Sequence, residues 1–344
     1  MTATYHRYIL DFKVPSGTSR GVLRTKETWF IILASDGKIG IGECGLFRGL
    51  SIDDTPDYED KLKWTCSNIH LSLEKLLEKL EEYPSIQFGL EMAFRSFQSA
   101  DAFELFPSKF TQEAQGIPIN GLIWMGKKDY MKRQIKEKID LGFNCIKMKI
   151  GAIDFETEFD LLKSVRNEFT KDDIVLRVDA NGAFSPKEAL EKLKRLSELD
   201  IHSIEQPIKA GQIHDMAFLC DQTPLPIALD EELIGVFSKE ARRDLLETIK
   251  PQYIILKPSL VGGIQGCQEW IDLSNSQNCG WWITSALESN VGLNAIAQWT
   301  YTLKNPLPQG LGTGGLFTNN FTCPLQVKNG NLHYNLNEKW DFKL

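Results

Sequence analysis

The chain contains no Cys-x-x-Cys pair, no run of histidines and no glycine-rich loop ending in Lys-Ser or Lys-Thr, so zinc-finger and P-loop chemistry have no footing in it. Its 7 cysteines (Cys44, Cys66, Cys145, Cys220, Cys267, Cys279, Cys323) are widely scattered, the pattern of reduced, structural thiols. Histidine is scarce. None of His6, His70, His202, His214 and His333 falls at the carboxyl end of a predicted strand, which removes histidine as the base of a site built there. Long apolar runs are missing too: the longest, near Trp29 to Ala34, is only strand-length, and Met1 to Lys13 has no basic segment leading into an apolar one. A cytoplasmic protein with no membrane partner is therefore expected. Excess positive charge is also absent. Lys and Arg number 39 against 46 Asp and Glu, for a net charge of −7, and the basic residues are dispersed, which argues against nucleic acid or an anionic lipid surface. A small-molecule partner fits better, and self-association into an oligomer is left open.

With 344 residues, 42% of them hydrophobic, and no low-complexity tract, the chain is long enough for two domains or for one large barrel with an appendage. The stretch that organises it is Cys145-Ile146-Lys147-Met148-Lys149-Ile150-Gly151, which alternates apolar residues with two lysines and stops at a glycine. That is a strand pattern. Successive side chains on a strand change face, so Lys147 and Lys149 point one way while Ile146, Met148 and Ile150 point the other. Two ammonium groups side by side on a buried strand require negative charge opposite them, so acids are expected elsewhere in the chain.

Before this stretch the chain reads β then α. Strands are expected at Tyr5–Phe12 and Thr28–Ala34, with Ser35-Asp36-Gly37-Lys38 turning the chain into a third at Ile39–Gly42. Helices follow from Tyr58 to about Leu80 and, after Pro84, from Ser85 to about Leu105. From Ile117 the rhythm changes to short apolar strands separated by amphipathic helices. Strands are expected at Ile117–Trp124, Asn144–Ile150, Ile174–Asp179, Ser203–Gln206, Ile227–Asp230, Tyr253–Lys257, Trp281–Ser285 and Leu307–Leu311, with helices between them. Among these helices, Ser185-Pro186 with Glu188 forms a capping box. Such a series predicts an α/β fold closed into a parallel barrel, with an open doubly wound sheet as the competing architecture.

The expected acids stand at the ends of consecutive strands: Asp179, Glu205 and Asp230, followed by Lys257 on the next. From Lys149 onward each step is roughly 25 to 30 residues, one strand–helix unit of such a barrel. Equivalent strand ends converge on one mouth, where these barrels keep their active sites. Any one of these motifs alone reads as a turn or a solvated face; their register together does not. Three facing carboxylates repel unless a hard divalent cation lies between them, which predicts a Mg²⁺ site at Asp179, Glu205 and Asp230, with Mn²⁺ as the alternative ion. The Gly310-Leu311-Gly312-Thr313-Gly314-Gly315 segment matches a dinucleotide-binding fingerprint but has no following strand–helix unit, so no nucleotide is expected there.

At these residues the sequence resembles the enolase superfamily, its muconate-lactonising subgroup and, within that, the o-succinylbenzoate synthase family. Lys147, Lys149, Asp179, Glu205, Asp230 and Lys257 match the subgroup's pattern. Arg177, Gly262-Gly263, the Thr284–Ser289 segment and the glycine-rich segment before Phe317 look like the synthases. Dipeptide epimerases of the subgroup usually carry Asp-x-Asp near the eighth strand, and here no acid lies between Leu303 and Phe321. The resemblance implies a (β/α)7β TIM-like barrel over residues 116–315 and an α+β capping domain over 1–115, to which 316–344 return.

It also implies a lyase that removes water from a cyclohexadiene carboxylate to form 2-succinylbenzoate, in menaquinone biosynthesis. Lys149 is expected to act as the base, with Lys147 beside it and Lys257 on the opposite flank as a cation. Arg177, Gly262, Gly263, Ser285 and Ser51 are expected to contact substrate, and the loop Arg48–Ser51 to close over the mouth. The competing activity is a racemase or epimerase that uses Lys149 and Lys257 as two bases on N-succinylamino acids or dipeptides. A third reading is a barrel that binds metal and ligand without turnover.

Overall fold

The computed structural model describes residues 1–18 and 21–344. Strands β1 (Thr2–Thr18), β2 (Gly21–Ser35) and β3 (Lys38–Cys44) form an antiparallel sheet in that order. The β2–β3 turn places Asp36 and Gly37 at φ of 51° and 78°, the left-handed pair that a tight hairpin needs. One sheet face, with Trp29, Ile31 and Leu33, packs on helices α1 (Tyr58–Ser67), α2 (Leu73–Lys79) and α3 (Pro84–Gln98). The other, with Leu10, Phe12 and Phe30, joins the core that continues into the barrel. Helix α3 approaches β3 so closely that a Cβ on Gly42 would lie 1.8 Å from the Gly89 carbonyl oxygen.

The single helix expected over Tyr58–Leu80 is two. Asn68 ends α1 by donating its side-chain amide to the Trp64 carbonyl at 2.8 Å, and Ser72 caps α2 by accepting from the Lys75 amide. Helix α3 stops at Gln98 rather than near Leu105. Asp101 takes the Phe103 amide at 2.8 Å and Gln298 takes the Leu105 and Phe106 amides at 2.8 and 2.9 Å, so side chains satisfy the backbone that a longer helix would have used. One turn, α4 (Lys109–Gln112), follows.

The predicted first barrel strand is also divided. Its start, β4 (Ile117–Pro118), pairs with the C-terminal hairpin, whereas β5 (Gly121–Ile123) enters the parallel sheet. Helix α5 (Lys128–Asp140), β6 (Cys145–Lys149), α6 (Phe155–Glu168), β7 (Val175–Asp179), α7 (Pro186–Ser197), β8 (Ser203–Glu205), α8 (Ile213–Gln222), β9 (Ile227–Leu229), α9 (Lys239–Ile249), β10 (Tyr253–Leu256), α10 (Gly263–Ser276), β11 (Gly280–Ile283) and α11 (Asn290–Thr302) then alternate. The seven strands β5 to β11 are parallel and hydrogen-bonded in sequence order. Leu307–Leu311, expected as the eighth strand, closes the barrel by single bridges, Gln309 to Ile119 and Gly310 to Thr284. Pro308 has no amide to donate, and the Gln309 side chain occupies the Ile283 amide at 2.8 Å, so no continuous ladder forms.

The C-terminal hairpin, β12 (Leu325–Lys328) and β13 (Asn331–Tyr334), lies on β4. Around it, Phe321 and Phe342 pack edgewise on Phe30, with centroids 5.4 and 5.6 Å away, and Trp340 stacks on Phe103 at 4.1 Å. These aromatic contacts join both ends of the chain.

Gly42→Ala should cost about 1–3 kcal/mol, because the new methyl meets backbone that cannot move aside. At Gly37, where nothing lies within 4 Å of an added Cβ, alanine should cost only the left-handed penalty of about 1 kcal/mol. Urea unfolding midpoints check the order; equal losses would contradict the close approach of α3.

Candidate active site

The strand register decides which side chains meet. Lys149 pairs with Asp179 and Asp179 with Glu205, so these three lie in one row across β6, β7 and β8. Glu205 pairs with Ala228, which carries Asp230 beyond that row, and Leu229 pairs with Ile254, which carries Lys257 further still. Lys149 and Lys257 therefore stand on opposite flanks of the acids. Lys147 Nζ donates to Asp179 Oδ2 at 3.0 Å and to Glu205 Oε2 at 2.6 Å. Lys149 Nζ donates to Asp179 Oδ2 and to Asn181 Oδ1, both at 2.8 Å. Lys257 Nζ donates to Asp230 Oδ2 and lies 4.0 Å from Glu205 Oε1.

Three ammonium groups thus offset three buried carboxylates. Burial favours the neutral form of both Lys147 and Lys257, but the facing carboxylates reverse this and hold both lysines above the ordinary value. Burial also favours protonation of Asp179, yet Lys147 and Lys149 outweigh it and hold the acid well below the usual carboxylate range. Glu205 goes the other way, pushed up by burial and by the charges of Asp179 and Asp230. Its Oε1 is buried and lacks a hydrogen-bond partner.

Among the described residues, no three His, Cys, Asp or Glu side chains stand close enough together to hold a metal as they are. Here the acids lean on ammonium groups. Their chemistry nevertheless fits a hard divalent cation: three carboxylates on adjacent strands, within reach of shared lysines, with one oxygen unpartnered. Such an ion would also relieve the crowding of negative charge that raises Glu205.

A pocket opens on this cluster. Lys147, Lys149, Asp179, Asn181 and Lys257 line its charged side, Leu122 and Trp124 come from the first barrel segment, and Phe47 and Leu50 from the N-terminal sheet's outgoing loop. That loop is pinned. Arg48 bridges Glu27 and Asp54, and the Gly49 amide donates to Asp54 at 2.7 Å.

Of the residues expected to touch substrate, only Ser285 lines the pocket, and its hydroxyl is already committed. It donates to Glu288 at 2.7 Å and accepts from the Leu287 amide at 3.0 Å and the Thr313 hydroxyl at 2.9 Å. Arg177 lies beneath the mouth, in the row of Lys147, where it donates to the Pro308 carbonyl at 2.8 Å and sits 4.0 Å from the Trp282 ring centroid. It belongs to the floor. Gly262 and Gly263, at φ of 98° and 72°, face away from the pocket and open α10 against Glu91, which accepts from the Ile264 and Gln265 amides at 2.5 and 2.9 Å. Ser51 turns inward to accept from the Phe47 amide at 2.9 Å. Its hydroxyl oxygen shapes the loop.

A sequence model described as Enolase C-terminal domain-like matches residues 130–337. An o-succinylbenzoate synthase from Desulfotalea psychrophila is 45% identical over 96% of this chain and 98% of its own. The chain belongs to the o-succinylbenzoate synthase family of the enolase superfamily. A solved structure of MenC from the same organism superimposes with a TM-score of 0.86 at 42% identity, covering 97% of this chain and 99% of that one. The L-Ala-D/L-Glu epimerase of Bacillus subtilis is more distant, at 26% identity over 48% of this chain and 44% of its own. The (β/α)7β barrel with an α+β capping domain is the architecture of this superfamily.

Sequence reasoning within the family pattern missed Asn181, whose side chain accepts from Lys149 and donates to Glu231 at 3.0 Å. It also missed Gln206, which accepts from the Asp230 amide at 3.2 Å. Both were visible as polar residues just beyond a strand-end acid, and both take a positive φ, 44° and 39°.

Removing one member of a buried ion pair leaves a partner uncompensated. Lys147→Met should therefore cost about 3 kcal/mol without metal, and saturating Mg²⁺ should raise its melting temperature more than the wild type's. Equal Mg²⁺ shifts in a calorimetric comparison would contradict this coupling.

Proposed function

We propose that this chain catalyses the syn-dehydration of 2-succinyl-6-hydroxy-2,4-cyclohexadiene-1-carboxylate to 2-succinylbenzoate, in the cytoplasm, for menaquinone biosynthesis. The observation that carries the reading is the full-length match to a synthase, joined to a lysine on each flank of three strand-end acids. Asp179, Glu205 and Asp230 would hold Mg²⁺, or Mn²⁺ in its place, supplying positive charge to the substrate carboxylate as negative charge develops on it.

The remaining steps belong to the chain. Lys149, as the free amine, takes the proton α to the ring carboxylate, and the C–H electron pair moves into the carboxylate to give an enediolate. That pair then returns to form the ring double bond and expels the hydroxyl group from the neighbouring carbon. The Lys149 ammonium returns its proton to the departing oxygen, so water leaves on the face from which the proton was taken. Lys257, held charged by Asp230, faces the developing anion from the other flank. Lys147 keeps Asp179 and Glu205 in place. Phe47 and Leu50 cover the mouth and exclude water. Residues 1–115 with 316–344 form the covering unit in this reading, and 116–315 the catalytic one.

The placement of Lys257 opposite Lys149 also favours one specific alternative, 1,1-proton transfer on an N-succinylamino acid or a dipeptide, with each lysine serving one face. The two readings separate on Lys257. For dehydration a cation suffices there, so Lys257→Arg should keep more activity than Lys257→Ala, while Lys149→Ala removes activity. Excess chelator should abolish turnover; full dehydration in its presence would contradict the metal site. Rapid exchange of the α-proton of an N-succinylamino acid in D₂O, without dehydratase activity, would favour the isomerase.

A further inference from the structure

Glu43 and Glu288 are both buried between the N-terminal sheet and the barrel, but they are held in different ways. Glu43 accepts from two backbone amides and two hydroxyls. Glu288, 0% exposed, accepts among the described residues only from the hydroxyls of Ser259 at 2.5 Å and Ser285 at 2.7 Å. An amide can only donate, whereas a hydroxyl can turn and accept. The titratable groups facing Glu288 are Lys26 of β2, Glu43 of β3 and Cys267 of α10. Lys26, whose buried Nζ makes no hydrogen bond among the described residues, opposes protonation of Glu288, and Glu43 favours it. Burial lowers Lys26 itself, against the pull of Glu43, Glu288 and Glu27, and pushes the Cys267 thiol well up, so that it stays neutral. Burial also outweighs Lys26 and the two hydroxyls at Glu288, which is held above its ordinary value.

From Glu288 a chain of hydroxyls leads into the pocket. With the carboxylate ionised, Ser285 gives it a proton and accepts from the Leu287 amide at 3.0 Å and the Thr313 hydroxyl at 2.9 Å. Thr313, which lines the pocket together with Ala286, Leu287 and Leu316, then shows the cavity lone pairs alone. With the carboxyl protonated the chain reverses: Glu288 donates to Ser285, Ser285 donates to Thr313, and the Thr313 O–H turns outward. Ser285 donates once and accepts twice in either state, so no heavy atom has to move. The outward O–H needs an acceptor, and the described residues give the Thr313 oxygen no partner besides Ser285.

We infer that Thr313 binds a carboxylate oxygen of the substrate, and that Glu288, a positioning residue acting through Ser285, takes up one proton from solvent when that oxygen binds. No other bond forms or breaks. The inference rests on the dehydratase reading above, which supplies a ligand with two carboxylates.

The test is calorimetric binding of 2-succinylbenzoate to the Mg²⁺-loaded protein in buffers of different ionisation enthalpy, from about pH 6 to 9, where the carboxylates of the ligand stay ionised. Proton uptake should accompany binding. Affinity should be highest at low pH and fall, by up to about tenfold per pH unit, between the Glu288 value of the free protein and the higher one of the complex. The mouth lysines contribute alike to wild type and variants, so the differences isolate the relay. Thr313→Val, close in shape, should take up fewer protons by about half a proton or more and bind about tenfold more weakly at low pH, with a flatter pH profile; Thr313→Ser should restore both. In Glu288→Gln the amide NH₂ holds the chain in its outward direction, so the profile should flatten at the tight-binding level. Uptake in Thr313→Val equal to that of wild type overturns the inference alone, whether or not Glu288→Gln folds. A wild type that neither dehydrates the cyclohexadiene acid nor binds 2-succinylbenzoate overturns the dehydratase reading and the inference with it.

Discussion

Three ammonium groups and three carboxylates share one buried barrel mouth, and neither set could remain there without the other. Isolated, each ion would bear a desolvation cost of several kcal/mol, and each acid would tend to take up a proton. Interleaved by register across β6 to β10, they cancel. This balance explains why the lysines lie on the oxygens that a divalent cation would use. An ion bound there would compete with the ammonium groups for the same carboxylates, so metal binding and lysine orientation would be linked through shared acceptors rather than set independently.

The mouth is held in shape by contacts between the N-terminal sheet and the barrel that are themselves polar and buried. Glu43 of β3 accepts from the Thr28 hydroxyl, the Ser289 amide and hydroxyl, and the Gly292 amide, capping α11 from outside the barrel. Glu91 of α3 caps α10 in the same manner. Glu288, fully buried, anchors Ser259 and Ser285 together. Glu43 thus ties the start of α11 to the sheet whose outgoing loop presents Phe47 and Leu50, Glu91 ties α10 to α3, and Glu288 joins two loops of the barrel. The loop that carries Phe47 and Leu50 and the strands that carry the acids are parts of one bonded structure.

Much of this was legible in the sequence because it is periodic. Alternation along Cys145–Ile150 placed Lys147 and Lys149 on one face, and the recurrence of Asp179, Glu205, Asp230 and Lys257 at strand ends placed them at one mouth. Local exchanges of backbone for side-chain hydrogen bonds were not legible. Asn68 divides a predicted helix, Gln298 shortens another across a long sequence separation, and Gln309 takes an amide that a strand ladder would have used. The expected substrate contacts suffered for the same reason. Arg177, Gly262, Gly263 and Ser51 have the right composition for ligand binding, but only the fold reveals that Arg177 Nη1 donates to the Pro308 carbonyl, that the two glycines open α10 beside Glu91, and that the Ser51 hydroxyl accepts from the Phe47 amide.

The central claim is that these acids form a metal site in competition with the lysines. Titration of the purified protein with Mn²⁺, followed by loss of the free-ion electron paramagnetic resonance signal, tests it without reference to turnover. The account predicts a single bound ion per chain, weakened by about tenfold or more in Glu205→Gln and in Asp230→Asn and retained or tightened in Lys149→Ala. Binding unaffected by either acid substitution, or lost on removing Lys149 alone, would contradict it.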